Sequence, residues 1–106
     1  MSTQLKKGVL ELVVLSRIAQ ADSYGYDIYQ YIDNYMSISE STIYPILRKL
    51  TNEGLCSTYL RESNEGPPRK YFKVTRLGME RLDELTVDWN QFKRVVNTMI
   101  RSDRYE

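Results

Sequence analysis

The sequence has no histidine and only one cysteine among its 106 residues. Without histidine, the chain lacks the commonest general base, the commonest metal ligand and the usual partner of a nucleophilic serine or cysteine. A single cysteine, Cys56, excludes an intrachain disulfide and a cysteine-built metal site within one chain. Nor do carboxylates, lysines or tyrosines pair at a spacing that suggests catalysis. The composition therefore argues against an enzyme, and it predicts no metal and no cofactor.

Long apolar runs are also missing, since no stretch approaches the roughly 20 residues that span a bilayer. The polar stretch from Met1 to Lys7 lacks the apolar centre of a signal peptide. We therefore expect a cytoplasmic protein without a membrane partner. A chain of 106 residues usually forms one domain with a small core, which a partner chain could support.

The net charge is only +1, but the charges are unevenly distributed. Between positions 41 and 78, three acids face a larger set of cations: Arg48, Lys49, Arg61, Arg69, Lys70, Lys73 and Arg76. The stretch from 80 to 88 reverses this balance, with four acids and one arginine. A nearly neutral chain can thus present a basic face to an acidic partner such as a nucleic acid.

The segment from Ser37 to Leu55 has the clearest helical pattern. Its apolar residues recur at spacings of three and four, which places them on one side of a helix: Ile43, Ile46, Leu47 and Leu50. The other side carries Ser41, Pro45, Arg48 and Asn52, with Thr42, Tyr44 and Lys49 on its shoulders. These hydroxyl, amide and cationic groups suit phosphates and base edges. An ordinary solvated helix face fits the same periodicity equally well.

The ends of this helix are also marked. Ser39 is the expected N-cap, and Gly54 is suited to a left-handed C-cap on which Leu55 folds back. Because proline disrupts a helix least in its first turn, Pro45 indicates a helical start close to itself.

A first helix is predicted from Leu5 to Ala19, with an apolar stripe of Leu5, Val9, Leu12, Val13 and Ile18. Lys6 lies at its start, where the helix dipole disfavours a cation. A bound phosphate would explain Lys6, and so would a solvated terminus.

A second helix is predicted from Tyr24 to about Tyr35, capped by Ser23 or Asp22. It contains more tyrosines than a small core can bury, so some should lie at the surface or at an interface. Together with the helix that follows, it forms a helix-turn-helix pattern.

Two strands, Cys56 to Glu62 and Arg69 to Thr75, are predicted to form a hairpin around a turn from Ser63 to Pro68. A hairpin directly after the third helix is the wing of a winged helix. Asn64 in the turn, with Arg69 and Lys70 at the neck, could reach a minor groove or flanking phosphates. A solvated hairpin whose cations protect an exposed edge is the alternative.

A long last helix should follow, capped by Thr75 and running to about Ile100. Its apolar residues keep heptad spacing: Leu82, Leu85, Trp89, Phe92, Val96 and Met99. Such a stripe predicts packing against a second copy of the chain, and packing against its own domain is the alternative. The predicted fold is mainly α with a small β-hairpin: a winged helix-turn-helix domain over 1–75, then a dimerisation helix over 76–106.

With these elements assigned, the chain resembles the PadR family of bacterial transcriptional regulators. Four segments carry the resemblance, in the family's order: LKKGVLELVVL (5–15), SYGYDI (23–28), ISESTIYPILRKL (38–50) and GPPRKYF (66–72). The resemblance implies a homodimeric repressor that binds an inverted-repeat operator in double-stranded DNA through the third helix and the wing. The single last helix is similar to the short subfamily. Some of its members hold planar aromatic ligands against a tryptophan between subunits, and Trp89 occupies the matching position.

We therefore expect DNA contacts from the third helix and the wing. Ser41 or Thr42 should lie near bases and Tyr44 near phosphate, with Arg48 in or beside the major groove. Lys49, Arg69 and Lys70 should neutralise phosphates.

A winged helix that binds protein rather than specific DNA is the competing hypothesis. For Cys56, a small buried residue is favoured over a redox sensor.

Overall fold

Four helices and three strands make up the fold in a computed structural model, which describes the backbone of residues 3–105 and the side chains of residues 9–101. In chain order the elements are α1 (Thr3–Gln20), β1 (Ser23–Tyr24), α2 (Gly25–Met36), α3 (Glu40–Asn52), β2 (Cys56–Ser63), β3 (Gly66–Val74) and α4 (Arg76–Tyr105). The predicted class, mainly α with a small hairpin and a long last helix, is confirmed. Over the described residues, no helix is both long and apolar enough to cross a membrane.

The core is formed where α1, α2 and α3 meet the sheet, and it buries Leu10, Val14, Leu15, Ile18, Ile28, Ile32, Ile43, Leu47, Leu50, Leu55, Cys56 and Phe72. The predicted core side of α3 is confirmed, except that Ile46 is only partly buried. The predicted stripe of α1 was largely wrong. Of its described residues only Ile18 is buried, and the others are half-buried. Because α1 is apolar around most of its circumference, periodicity alone could not select the core side.

The turn between α2 and α3 is held by Asp33. Its carboxylate accepts a hydrogen bond from the backbone N–H of Ile38 at 2.8 Å, and its carbonyl accepts one from Ser37 at 3.0 Å. Ser37 has a left-handed φ of 46°. The expected side-chain cap at the start of α2 was wrong, because Tyr24 is the N-cap residue and the Ser23 hydroxyl donates to the Ala21 carbonyl instead.

Helix α3 begins after Ser39, the predicted N-cap residue, although the Ser39 hydroxyl makes no capping hydrogen bond to the backbone. The inference from Pro45 was wrong: Pro45 lies inside the helix, five residues beyond the first helical residue, Glu40. Since proline has no N–H, the helix loses one internal hydrogen bond there. The predicted C-terminus is confirmed, with Gly54 at a φ of 75° and the Leu55 N–H bonded to the Leu50 carbonyl at 2.9 Å.

The sheet has the strand order β1-β3-β2, and both pairs are antiparallel. The hairpin of β2 and β3 is the predicted wing, but its turn is tighter than expected because β3 begins at Gly66. Ser23 and Tyr24 form a third strand against Phe72 and Tyr71, which the sequence did not predict.

Helix α4 starts directly on the core. The Thr75 hydroxyl accepts from the Gly78 N–H at 3.0 Å and donates to the Gly54 carbonyl at 2.7 Å, so the predicted cap is confirmed. Leu82 and Leu85 pack against the core of the same chain. Farther along, most side chains of α4 are exposed. The result is an elongated molecule of 60 × 28 × 19 Å.

Candidate nucleic-acid interface

A groove of about 360 Å³ opens between the start of α2, the polar side of α3 and strand β3. We call it the α3–wing groove. It is lined by Tyr24, Gly25, Tyr44, Arg48, Thr51, Asn52, Lys70 and Phe72. None of these lining residues is acidic, and two are cations supplied by different elements. The groove therefore presents positive charge together with hydroxyl and amide groups, which suits an anionic backbone.

Gly25 allows the walls of this groove to close. A Cβ at this position would lie 3.2 Å from Cε1 of Tyr44 and 3.4 Å from Cε1 of Phe72, closer than most such contacts. The absent side chain lets the first turn of α2 approach both rings. This brings the N-terminus of α2, where backbone N–H groups lack helical partners, to the edge of the groove.

Tyr44 contributes an uncharged hydroxyl to the groove. Burial raises the pKa of Tyr44 above the usual tyrosine value, and the nearby Glu40 carboxylate raises it further. The hydroxyl therefore stays protonated at neutral pH and can donate a hydrogen bond to a phosphate oxygen.

Three hydroxyls cluster at the start of α3. The Ser39 hydroxyl oxygen lies 3.0 Å from that of Ser41 and 3.0 Å from that of Thr42. Ser39 and Ser41 are exposed and Thr42 is half-buried. Because hydroxyls can donate or accept, this end of α3 can hydrogen-bond either base edges or phosphates.

Lys49 does not join Arg48 and Lys70 in the groove. Its Nζ lies 3.0 Å from the Glu11 carboxylate in α1 and 4.0 Å from that of Glu53. The hydrogen bond that Lys49 donates to the Glu11 carboxylate raises the pKa of Lys49. A phosphate would therefore have to compete with these two carboxylates for Lys49, although Glu11 is shared with Arg81.

The two cations at the neck of the wing lie on opposite faces of β3. Lys70 lines the groove, with its Nζ 5.7 Å from the centroid of the Phe72 ring. Arg69 lies on the other face, where its guanidinium is 4.9 Å from the centroid of the Tyr24 ring. Successive residues of a strand alternate between faces, so adjacent basic residues cannot both face the groove.

Two predicted DNA contacts remain, one in the wing and one in α1. Asn64 is exposed in the turn of the wing. Lys6 belongs to α1, but its side chain lies outside the described residues. Five residues that line the groove were not among the predicted DNA contacts: Tyr24, Gly25, Thr51, Asn52 and Phe72. The glycine between two tyrosines at the start of α2 could have indicated that another element packs closely against the backbone there.

The predicted dimer stripe divides into two parts. Leu82 and Leu85 contact the core of their own chain, whereas Trp89, Phe92 and Met99 expose 38%, 64% and 59% of their surface. Val96 is half-buried. Exposed aromatic and aliphatic side chains in register along a helix are typical of a surface that another chain covers. The contact with a second chain remains a prediction.

A helix-turn-helix, a hairpin wing and a cationic groove between them define a winged helix-turn-helix protein. The Transcriptional regulator PadR-like family model matches residues 14–84, more than half of the chain. This chain belongs to the PadR-like family of transcriptional regulators. Within the described residues, no group of three or more acidic or cysteine side chains could hold a metal ion.

Solved structures give the same result. A PadR-like transcriptional regulator from Bacillus cereus is 35% identical with a TM-score of 0.85, covering 93% of this chain and 98% of that chain. A protein from Streptococcus mutans UA159 is 41% identical with a TM-score of 0.81, covering 88% of this chain and 87% of that chain. Bacillus subtilis PadR, crystallised in complex with operator DNA, is 28% identical with a TM-score of 0.67, covering 74% of this chain and 47% of that chain.

Proposed function

We propose that this protein is a sequence-specific DNA-binding repressor that binds an inverted-repeat operator as a homodimer. The observation that carries the proposal is the α3–wing groove, in which Arg48 and Lys70 face the same space without an acidic neighbour in the lining. Family membership supports DNA binding, and so does the similarity to a PadR that was crystallised with operator DNA. A regulator of this kind acts in the cytoplasm, where bacterial DNA lies.

In this proposal the start of α3 enters the major groove. Ser41 and Thr42 approach base edges, while Ser39 supports them through its hydroxyl contacts. One strand of the duplex backbone runs along the α3–wing groove. Arg48 and Lys70 neutralise its phosphates and the Tyr44 hydroxyl donates to a phosphate oxygen.

The homodimer would form along the stripe of Trp89, Phe92, Val96 and Met99, of which only Val96 is half-buried in the single chain. Burying these side chains against a second copy removes apolar surface from water, which favours association. The two winged-helix domains of the dimer, related by two-fold symmetry, would match two operator half-sites separated by about one helical turn, or a multiple of it. A planar aromatic effector bound against Trp89 would lie between the copies. It could release DNA only by preferring one arrangement of the dimer over another.

Selection from random duplexes tests the proposal directly. The expected result is an enriched inverted repeat that also appears in the promoter next to this protein's own gene and is protected there in a footprint. Transcription from that promoter should fall when the protein is added. No enrichment at low ionic strength would contradict DNA recognition and would favour a winged helix that binds protein instead.

The roles assigned to the groove can be tested separately. Replacing Arg48 and Lys70 with glutamine should weaken operator binding and reduce the slope of log K against log salt by about 2, since about one unit is lost for each phosphate contact. Arg76→Gln is a matched control, because Arg76 is an exposed cation at the start of α4 that pairs only weakly, at 3.8 Å, with Glu80. An unchanged salt slope in the double variant would refute the assignment.

A further inference from the structure

The face of the sheet that points away from the core carries a row of three tyrosines. Tyr24 in β1 is paired with Tyr71 in β3, which is paired with Tyr59 in β2. The ring centroids are 6.2 Å apart for the first pair and 5.8 Å for the second, with Tyr59 and Tyr71 stacked at an interplanar angle of 22°. All three strands thus contribute an aromatic ring to one surface.

Two arginines lie directly opposite each other on the same face. Arg61 in β2 pairs with Arg69 in β3. Like charges placed opposite each other destabilise a sheet. Neither guanidinium forms an ion pair with an acid among the described side chains. Arg61 instead lies 5.1 Å from the centroid of the Tyr71 ring, and Arg69 lies 4.9 Å from that of Tyr24.

These ring contacts leave the guanidiniums able to bind an anion. A guanidinium that lies over a ring, unlike one paired with a carboxylate, keeps N–H groups that can contact a phosphate in bidentate fashion. Lys73, exposed and on the same face of β3, adds a third cation. The nearby acid, Asp22, is engaged by the Tyr59 hydroxyl, which donates to it at 2.7 Å.

We infer that this surface, the outer face, is a second nucleic-acid site that binds a single strand. Unpaired bases would stack on the Tyr59 ring and on the ring–guanidinium pairs, and phosphates would contact Arg61, Arg69 and Lys73. The outer face consists of Tyr24, Tyr59, Arg61, Arg69, Tyr71 and Lys73. Its residues in β2 and β3 lie on the opposite side of the sheet from Lys70, and Tyr24, at its edge, also lines the α3–wing groove.

The chemistry of the outer face favours a single strand over the other partners. A duplex keeps its bases stacked on one another, so their faces cannot reach the tyrosines. A protein partner would need an apolar centre in the interface. The described side chains that alternate onto this face from Ser57 to Arg61 and from Arg69 to Lys73 are aromatic, cationic or hydroxyl-bearing. The inference goes beyond the proposed function, because operator binding uses the other side of the wing.

The test uses the full-length protein and fluorescein-labelled oligo-dT and oligo-U, each about 12 nucleotides long, with fluorescence anisotropy at low salt. We expect saturable binding of at least one strand by the wild type. Tyr59→Leu should weaken it about fivefold or more, since one stacked base is lost. Tyr59→Phe keeps the ring but releases Asp22, so it should bind more tightly than Tyr59→Leu and at most slightly more weakly than the wild type. Arg61→Gln should weaken binding and make it less dependent on salt. Arg61→Lys keeps the charge, so it should keep most of the salt dependence of the wild type.

Several results would overturn the inference. One is the absence of saturable binding by the wild type, and another is equal affinity for the Leu and Phe variants at position 59. A third is a fall in single-strand affinity in the Arg48→Gln, Lys70→Gln double variant as large as that in Tyr59→Leu. That result would place the strand in the α3–wing groove. Should Tyr59→Leu fail to fold, as judged by thermal unfolding, the Arg61 pair of variants decides alone. Duplex selection is scored independently, so failure of operator recognition is distinguishable from failure of strand binding.

Discussion

The backbone of Gly78 in α4 lies directly against the carbonyl oxygen of Leu55, the residue that folds back on the end of α3. A Cβ at position 78 would overlap this oxygen and would lie 2.9 Å from Cγ2 of Val74. Because the nearest obstacle is backbone rather than a flexible side chain, it cannot move aside easily. The absence of a side chain at Gly78 therefore determines how closely α4 approaches the helix-turn-helix.

Gly78→Ala is expected to destabilise the protein by about 2 kcal/mol or more, the range found when an extra carbon is forced into a packed site. Helix propensity acts in the opposite direction, since alanine is favoured over glycine within a helix. Urea unfolding monitored by circular dichroism measures the difference. Val87→Ala, at a position on α4 with 64% of its surface exposed, is the control and should change stability little. A stabilised Gly78→Ala variant would show that α4 does not pack as described.

Asp33 should determine the stability of the turn between α2 and α3. Asp33→Ala removes the side-chain acceptor of the Ile38 N–H, a hydrogen bond of 2.8 Å, and should lower the free energy of unfolding by about 1 to 2 kcal/mol. Asp33→Asn retains an oxygen at this position and should cost less. Equal losses for the two variants in thermal or urea unfolding would indicate that the acceptor is not responsible.

Cys56 should behave as an unreactive thiol in the folded protein. Burial raises the pKa of the Cys56 thiol, while the contact with the Thr51 hydroxyl, 3.3 Å away, and the charge of Lys70 partly oppose this. At pH 8 a disulfide reagent should therefore modify the native protein slowly and the urea-unfolded protein rapidly. Equal rates in both states would contradict burial of the thiol.

The same shift predicts the pH dependence of stability. The folded state holds the thiol proton more tightly than the unfolded chain does, so the contribution of Cys56 is complete below the unfolded pKa, about 8.5. It is lost as the pH rises through the higher folded pKa. Cys56→Ala should reduce the loss of stability above that pH, and an identical pH profile for the variant would contradict the assignment.

Phe92→Glu should dissociate the proposed dimer. Phe92 exposes 64% of its surface in the single chain, and a carboxylate at the centre of an apolar contact would be left unpaired. Sedimentation equilibrium should give the mass of a monomer for this variant and of a dimer for the wild type. Val87→Glu changes an equally exposed residue outside the predicted stripe and should remain dimeric. A monomeric wild type at micromolar concentration would refute the dimer itself.

The fold was largely predictable from local patterns. Every long element was assigned correctly. The helices were predicted from their apolar spacing and from the end signals at Gly54 and Thr75, and the hairpin strands from their alternation around a turn. Strand β1 escaped because a two-residue pairing leaves no periodicity to detect. Ser39 marked the start of α3 correctly, whereas Pro45 did not, because an exposed proline costs the helix one hydrogen bond and does not end it.

The site was harder to predict, because it depends on which way side chains point in three dimensions. Arg69 and Lys70 are neighbours in sequence but occupy opposite faces of β3. Lys49 was assigned to phosphate from its position on the helix, yet it pairs with Glu11, a residue 38 positions away. Ion pairs between distant segments leave no local signal in a single sequence.

One residue, Thr75, separates the last residue of β3 from the first residue of α4, and its hydroxyl bonds to Gly78 in α4 and to Gly54 just beyond α3. The junction therefore acts as a stiff joint rather than as a tether. At about 1.5 Å per residue, the 30 residues of α4 form a rod about 45 Å long. A tilt of about 10° at the joint would displace the far end by roughly 8 Å by this geometry. In the proposed dimer, a change in the angle between the two α4 helices would therefore reorient both winged-helix domains.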